Sequence, residues 1–366
     1  MTARSVPAVQ AGAAGTRYIA GVEYAVLTGF RPLLLDLILP PAESGGPGSG
    51  GPASGGPGRP VPVVAWLHGG GWQQGSRRSA GPAFAGWSPT VFERIAAAGL
   101  AVAAIDYRLS GEARWPAQLA DVLAALDWLR REGPELGLDP GRLALMGESA
   151  GGHLAAVAAL TDTARTDGAV TDGALPDGAV TDGALADGAL ADGALADGTL
   201  TEGIVTDGTS KNAAPGALAG AVRAVVDWYG PADLRTMASE VGPAPAADPA
   251  APDSRESRLL GAPLPTVPDI AADASPVTHI HPAAPPFLLL HGTADRLVPV
   301  LQSTGFAAAL REAGVPVQLE LIAGAGHMWL AAGPGVTHRV FGLSLDFLCQ
   351  HLLDGGSSGP PGGGVS

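Results

Sequence analysis

Short, continuously apolar runs alternate along this chain with longer segments whose apolar residues recur at intervals of three and four. The order is PVVAWLH (62–68), SPTVFERIAAAG, LAVAAIDY, PAQLADVLAALDWLRREG, RLALMGES, AGGHLAAVAALT, AVRAVVDWYG, PPFLLLHG, STGFAAALREAG, VQLELIAG and VFGLSLDFLCQHLL. The short runs suit strands buried on both faces, and the three-four recurrence suits amphipathic helices, closed here by Gly99 and Gly133. Such alternation specifies an α/β structure, a mostly parallel central sheet flanked by helices on both sides. Upstream, VEYAVLTGF and RPLLLDLILP read as a hairpin with Gly29 near its turn.

Three segments interrupt this pattern. Of the chain's 54 glycines, 23 lie in residues 41–60, 166–210 and 355–366. The first is a Gly/Pro/Ser-rich connection of flexible composition. The second consists of nine pentads from TDGAV to TDGTS, whose period of five suits neither helix nor strand; it reads as a low-complexity, disordered acidic insertion. The expected organisation is one domain over residues 20–353 carrying both insertions, with flexible ends at 1–19 and 354–366. A Pro-rich stretch, 235–275, lies between two core strands, where a short cap segment would cover a site.

Nine of the 35 acidic residues fall in the pentads, where there is no Lys or Arg, so the rest of the chain holds only five of its fourteen net negative charges. A mildly acidic body without a basic stripe argues against nucleic acid as a partner. No apolar run of 18 residues marks a membrane span. The single cysteine, Cys349, excludes an intrachain disulfide framework and suits a reducing, cytoplasmic setting. Oligomeric state is not legible.

The chemistry centres on GESAGG, 147–152, a GxSxG sequence between the strand RLALM and an apolar helix. In that context the glycines let the chain turn tightly and expose Ser149 as a nucleophile. HGGGW (68–72) follows the strand PVVAW. Its consecutive glycines allow backbone N–H groups of Gly70 and Gly71, with that of Ala150, to bind an oxyanion. Triad partners are expected at the ends of later strands in the order Ser, acid, His. HGTADRLVP supplies Asp295 and AGHMW supplies His327, so that His327 takes and returns the Ser149 proton while Asp295 holds the imidazole. Asp233 in WYGPADL is the competing acid. His68 and Asp106 read as structural ties for the glycine loop, and Glu148 as a buttress of the elbow. Trp72, Met328 and Trp329 are candidate pocket walls that could equally be packing. No His/Cys/carboxylate spacing suggests a metal, and no GK[ST] follows the glycines.

Together HGGGW, DYRLS, RWPAQLADV, LDPGRLALMGESAGGHLAA, VVDWYGPADL, SPVTHIHPAAPPFLLLHGTADRLVP and GAGHMW resemble the α/β-hydrolase superfamily, specifically bacterial esterases of the feruloyl-esterase-like and hormone-sensitive-lipase-like groups. The resemblance spans about residues 20 to 353 and implies hydrolysis of small-molecule carboxylic esters without a cofactor, with Ser149, Asp295 and His327 as the triad. An amidase or peptidase such as an arylformamidase could use the same residues. A non-catalytic small-molecule binding protein is the alternative from another class.

Overall fold

The apolar runs become adjacent strands. In the computed structural model, which describes residues 7–42, 60–164, 221–242, 245–333 and 335–353, nine strands form one sheet. They are β1 (Gln10–Ala11), β2 (Arg17–Ala25), β3 (Leu33–Leu39), β4 (Val61–Leu67), β5 (Ala101–Ile105), β6 (Leu138–Glu148), β7 (Val222–Trp228), β8 (Phe287–Gly292) and β9 (Val317–Ile322). Their order is β1-β2-β3-β5-β4-β6-β7-β8-β9. The β1/β2, β2/β3 and β3/β5 pairings are antiparallel and those from β5 through β9 parallel. The pentads at 166–210 and the tail at 354–366 lie outside the described residues, as do residues 43–59 of the Gly/Pro connection.

The helices are α1 (Val91–Ala97), α2 (Ala117–Glu132), α3 (Ala150–Ala164), α4 (Met237–Glu240), α5 (Arg255–Leu260), α6 (Pro268–Asp273), α7 (Val300–Glu312) and α8 (Val336–Leu352). Successive strand residues enter opposite layers. Val63, Ala65 and Leu67 join a core with side chains of α2, α3 and α7, whereas Val64 and Trp66 join one with α1 and α8. Being buried on both faces is why these strands read as unbroken apolar runs. Each fully buried Leu or Val contributes roughly 1.5–3 kcal/mol, and Val63, Val64, Leu67, Val102, Leu143 and Leu145 of β4, β5 and β6 are such residues. Among the described residues no helix is long and apolar enough to cross a membrane.

Local chemistry sets several element ends. Thr90 and Glu93 form a reciprocal capping box at α1, and Gly99 follows that helix with φ 95°. Helix α2 closes at Gly133 as expected, but without a left-handed glycine there. Gly133 keeps a right-handed conformation, the chain continues through a 3-10 turn to Leu136, and the left-handed residue is Gly137, φ 77°. Pro134 fits the first turn of that extension, so the left-handed residue comes one turn later. The expected flexible start is also shorter than residue 19. Gln10 and Ala11 pair with β2, which begins at Arg17, and the Ala13 N–H donates to Glu93 at 2.8 Å. One charge inside the apolar strand β3, Asp36, is held by Arg77 at 2.7 Å and by the Tyr18 hydroxyl. Burial would raise its carboxyl, and these bonds outweigh that and lower it.

Strand order changes direction around β4, which pairs with β5 on one side and β6 on the other. In an open α/β sheet the crevice at the carboxyl ends of such strands is where ligands bind. Leu67 at the end of β4 pairs with Gly147 at the end of β6, so the HGGGW loop and the GESAGG turn leave the sheet side by side.

Candidate active site

Ser149 occupies the turn from β6 into α3 with φ 52°, a conformation that costs a non-glycine residue energy and persists only where the surroundings enforce it. Close packing enforces it here. A Cβ on Gly147 would come within 2.3 Å of the Gly151 carbonyl carbon, and one on Gly151 within 2.0 Å of the Leu67 oxygen. A Cβ on Gly152 would meet Asp227 Oδ1 at 2.0 Å. The Ser149 N–H donates to Trp228 O at 2.7 Å and its carbonyl accepts from the His153 N–H at 3.0 Å, which leaves the half-buried hydroxyl directed by its backbone.

Ser149, Asp295 and His327, 178 and 32 residues apart in successive bonded pairs, form one chain of hydrogen bonds. Ser149 Oγ lies 3.0 Å from His327 Nε2, and His327 Nδ1 lies 2.6 Å from Asp295 Oδ2. Because the carboxylate can only accept, Nδ1 carries the proton and Nε2 is free to accept from the serine. Asp295 is fixed from its other side, where Oδ1 accepts the N–H groups of Leu297 at 2.8 Å and Val298 at 3.0 Å. Its side chain is fully buried. Burial alone would raise its carboxyl, but hydrogen bonds from His291 and His327 outweigh that and hold it well below the usual carboxylate range. His327 sits in a tight turn after β9, where Met328, Trp329 and Ala331 all have positive φ. Asp233, the competing acid, is engaged by Arg235 at 2.8 Å.

His291 is a neighbour that sequence reasoning did not select. Fully buried, it places Nε2 3.3 Å from Asp295 Oδ2 and 3.0 Å from Val298 O, while Nδ1 meets Ser303 Oγ at 2.7 Å. An Nε2–H tautomer satisfies all three contacts, with the Ser303 hydroxyl donating to Nδ1. Only its position four residues before Asp295 was available as a signal.

The glycine loop packs directly on the elbow. A Cβ on Gly69 would approach Glu148 at 3.0 Å, and one on Gly70, φ 119°, would sit 2.0 Å from Gln74 O. Among the described residues the N–H groups of Gly70 and Gly71 donate to no protein acceptor, and Ala150, opening α3, has no helical acceptor for its own. His68 and Asp106 serve as ties: His68 Nδ1 lies 2.8 Å from Gly69 O and its ring stacks on Tyr107 at 4.3 Å, while Asp106 accepts the Arg77 N–H at 2.7 Å. Glu148 accepts from the Tyr229 hydroxyl at 2.8 Å and from the Gly69 N–H, and Tyr229 packs 4.7 Å from the His327 ring. Burial raises the Glu148 carboxyl despite these two bonds.

Both tryptophans proposed as pocket walls lie in the packed interior instead. Trp72 is 2% exposed and Trp329 3%, the latter edge-on to Tyr229 at 4.7 Å. Met328 remains half-buried. Trp72 is drawn inward because its indole N–H finds an acceptor, His153 Nδ1, at 3.3 Å.

His153 Nε2 faces Ala274 O at 2.6 Å and must donate to it, so Nδ1 is the unprotonated nitrogen that receives the indole. Burial is the largest influence and, with repulsion from His279, outweighs the Ala274 bond, pushing the imidazole down to about 4. The unfolded chain takes up this proton near pH 6.5, whereas the folded one resists until about 4. His153 therefore contributes about 3 kcal/mol of stability above pH 6.5, lost as pH falls from 6.5 through 4. Chemical denaturation at pH 7 and pH 4 should show that drop shrinking by about 3 kcal/mol in His153→Asn; an acid limb identical to wild type would refute the assignment.

A serine in a sharp strand-to-helix turn, hydrogen-bonded through a histidine to an aspartate on the loops after later strands of a mostly parallel sheet, with a glycine loop beside it, is the arrangement of an α/β-hydrolase. The chain belongs to the BD-FAE family, whose model matches residues 54–310. The probable carboxylic ester hydrolase LipM of Mycobacterium tuberculosis is 30% identical over 252 residues, covering 69% of this chain and 45% of that protein. The esterase LipC of the same organism is 30% identical over 253 residues, 69% and 49% of the two chains. This chain thus spans about half the length of the curated relatives it matches. A truncated carbohydrate esterase from gut microbiota superposes with a TM-score of 0.63 at 25% identity, covering 95% of this chain and all 100% of that one. A thermophilic esterase from the Planctomycetes species Thermogutta terrifontis shares the fold at a TM-score of 0.58 and 22% identity, over 94% and 96% of the two chains.

Proposed function

We propose that this chain is a serine hydrolase that cleaves small-molecule carboxylic esters through an acyl-enzyme on Ser149. The observation that carries the reading is the unbroken hydrogen-bond chain from Ser149 Oγ through His327 to Asp295, at 3.0 and 2.6 Å. In this mechanism Oγ attacks the ester carbonyl as its proton passes to His327 Nε2, and Asp295 stabilises the imidazolium. Charge developing on the carbonyl oxygen is met by the N–H groups of Gly70, Gly71 and Ala150, each contributing roughly 2.7–4 kcal/mol in comparable sites. The imidazolium then protonates the departing alcohol. Water, deprotonated by the same nitrogen, attacks the acyl group and releases the acid and the free serine. The ester-hydrolase names of the relatives support an ester over an amide as the bond broken.

The test is hydrolysis of p-nitrophenyl acetate and longer p-nitrophenyl esters beside a formanilide. The expected result is saturable turnover of at least one ester well above buffer, exceeding that of the formanilide. No turnover of any ester by the folded chain would overturn the reading.

A further inference from the structure

Beside the oxyanion loop lies a cavity of about 580 Å³ between the residues that follow Trp72 and helix α5 of the cap segment. Its lining includes Gln73, Ser110, Arg114, Ser257 and Arg258 and contains no carboxylate. That is unexpected in a chain with a net charge of -14. Elsewhere Arg31, Arg77, Arg108, Arg142 and Arg235 each sit within 2.8 Å of a carboxylate oxygen, while Arg17, Arg94 and Arg223 bond backbone carbonyls.

Arg114 packs against the end of α5, where a Cβ on Gly261 would come within 2.6 Å of its Cδ. Arg255, one helical turn before Arg258 and on the same face of α5, lies against the oxyanion loop itself, where a Cβ on Gly71 would come within 2.2 Å of its Cδ. Among the described residues neither guanidinium has a hydrogen-bond or ion-pair partner, and Arg258 bonds only the Asp253 carbonyl, at 3.1 Å. Two further polar atoms are shut off from solvent without a partner, Gln73 Nε2 and Ser110 Oγ, both on residues that line the cavity.

Two cations, Arg114 and Arg258, line the cavity with no carboxylate in its lining, and a third, Arg255, lies one helical turn away; such a group is suited to a planar anion, which guanidinium groups bind by paired N–H donors. We propose that this cavity recognises a carboxylate carried by the substrate, so that the preferred esters are those of acidic molecules. The inference rests on the esterase reading for what the carboxylate is attached to, either the acyl or the alcohol portion. Arg255 ties this recognition to the reacting carbonyl because it bridges the cavity side of α5 and Gly71. It acts as a specificity residue.

The test measures binding rather than turnover, so that it stands apart from the esterase reading. Full-length Ser149→Ala is titrated calorimetrically, at low salt, with two matched pairs: monoethyl succinate against ethyl succinamate, and 4-acetoxybenzoate against 4-acetoxybenzamide. The acid should bind on the order of tenfold more tightly than its amide in one pair, and which pair it is identifies the acyl or the alcohol side. Arg255→Gln and Arg114→Gln, each added to that background, should cut the advantage about fivefold, and about 0.5 M NaCl should shrink it as well. A loss of packing alone would weaken acid and amide together and leave their ratio unmoved. Equal binding within both pairs, or a ratio that survives both substitutions, overturns the proposal. A preserved acid preference in a wild-type chain that turns over no ester would instead overturn the esterase reading.

Discussion

Replacing Ser149 with alanine should lower kcat on p-nitrophenyl acetate at least about a thousandfold while the protein stays folded. The backbone bonds that hold this position, from its N–H to Trp228 O and from the His153 N–H to its carbonyl, do not involve the hydroxyl. Alanine faces the same cost at φ 52° as serine does, so the elbow keeps its shape. Only the nucleophile and its bond to His327 Nε2 are removed. Residual rate would come from water attacking a carbonyl still polarised by the glycine loop. A folded variant that keeps more than about a tenth of wild-type kcat would mean that Ser149 is not the attacking group.

Asp295→Asn carries the second large effect, and its cause is a tautomer rather than a lost contact. Oδ1 accepts two backbone N–H groups, from Leu297 and Val298, so the asparagine carbonyl oxygen takes that place. The amide NH2 is then left where Oδ2 stood, facing His327 Nδ1 and His291 Nε2, both of which donate in the wild type. To accept from the amide, His327 must move its proton to Nε2, and it can then no longer accept from Ser149. A loss of about 10⁴ in kcat is expected, as for a triad acid changed to its amide elsewhere. Circular dichroism should show an intact fold. A loss smaller than about tenfold would place the base's orientation in the hands of another group.

The alternation of apolar runs and amphipathic segments carried the sheet and its helices, because strands buried on both faces and helices buried on one leave different periodicities. Details that depend on local backbone choice were less visible. Gly133 and Gly137 look alike as helix breakers, and only Pro134 and the turn it favours put the left-handed residue at Gly137. The start of β2 was missed because Arg17 and Tyr18 break the apolar run, while the Tyr18 hydroxyl in fact reaches Asp36.

That Ser149, Asp295 and His327 would meet was legible because each follows the end of a strand, and a parallel sheet gathers those ends on one edge. His291 was not, since its value lies in bonds to Val298, Ser303 and Asp295 that form only when the loop after β8 closes on α7. Trp72 and Trp329 were ambiguous for a similar reason. Composition cannot tell an indole lining a pocket from one that finds His153 or Tyr229 in the interior. The arginines of α5 carry no motif at all, and the cavity that Arg258 lines, with no carboxylate in its lining, is not displayed by the sequence.

The central claim is that Ser149 is an activated nucleophile, and covalent labelling by a fluorophosphonate tests it most directly. Incubation at neutral pH followed by peptide mass mapping should place a single phosphonyl adduct on Ser149, with labelling abolished in Ser149→Ala and greatly slowed in Asp295→Asn. A folded chain that resists the probe, or that carries the adduct on another residue, would contradict the account.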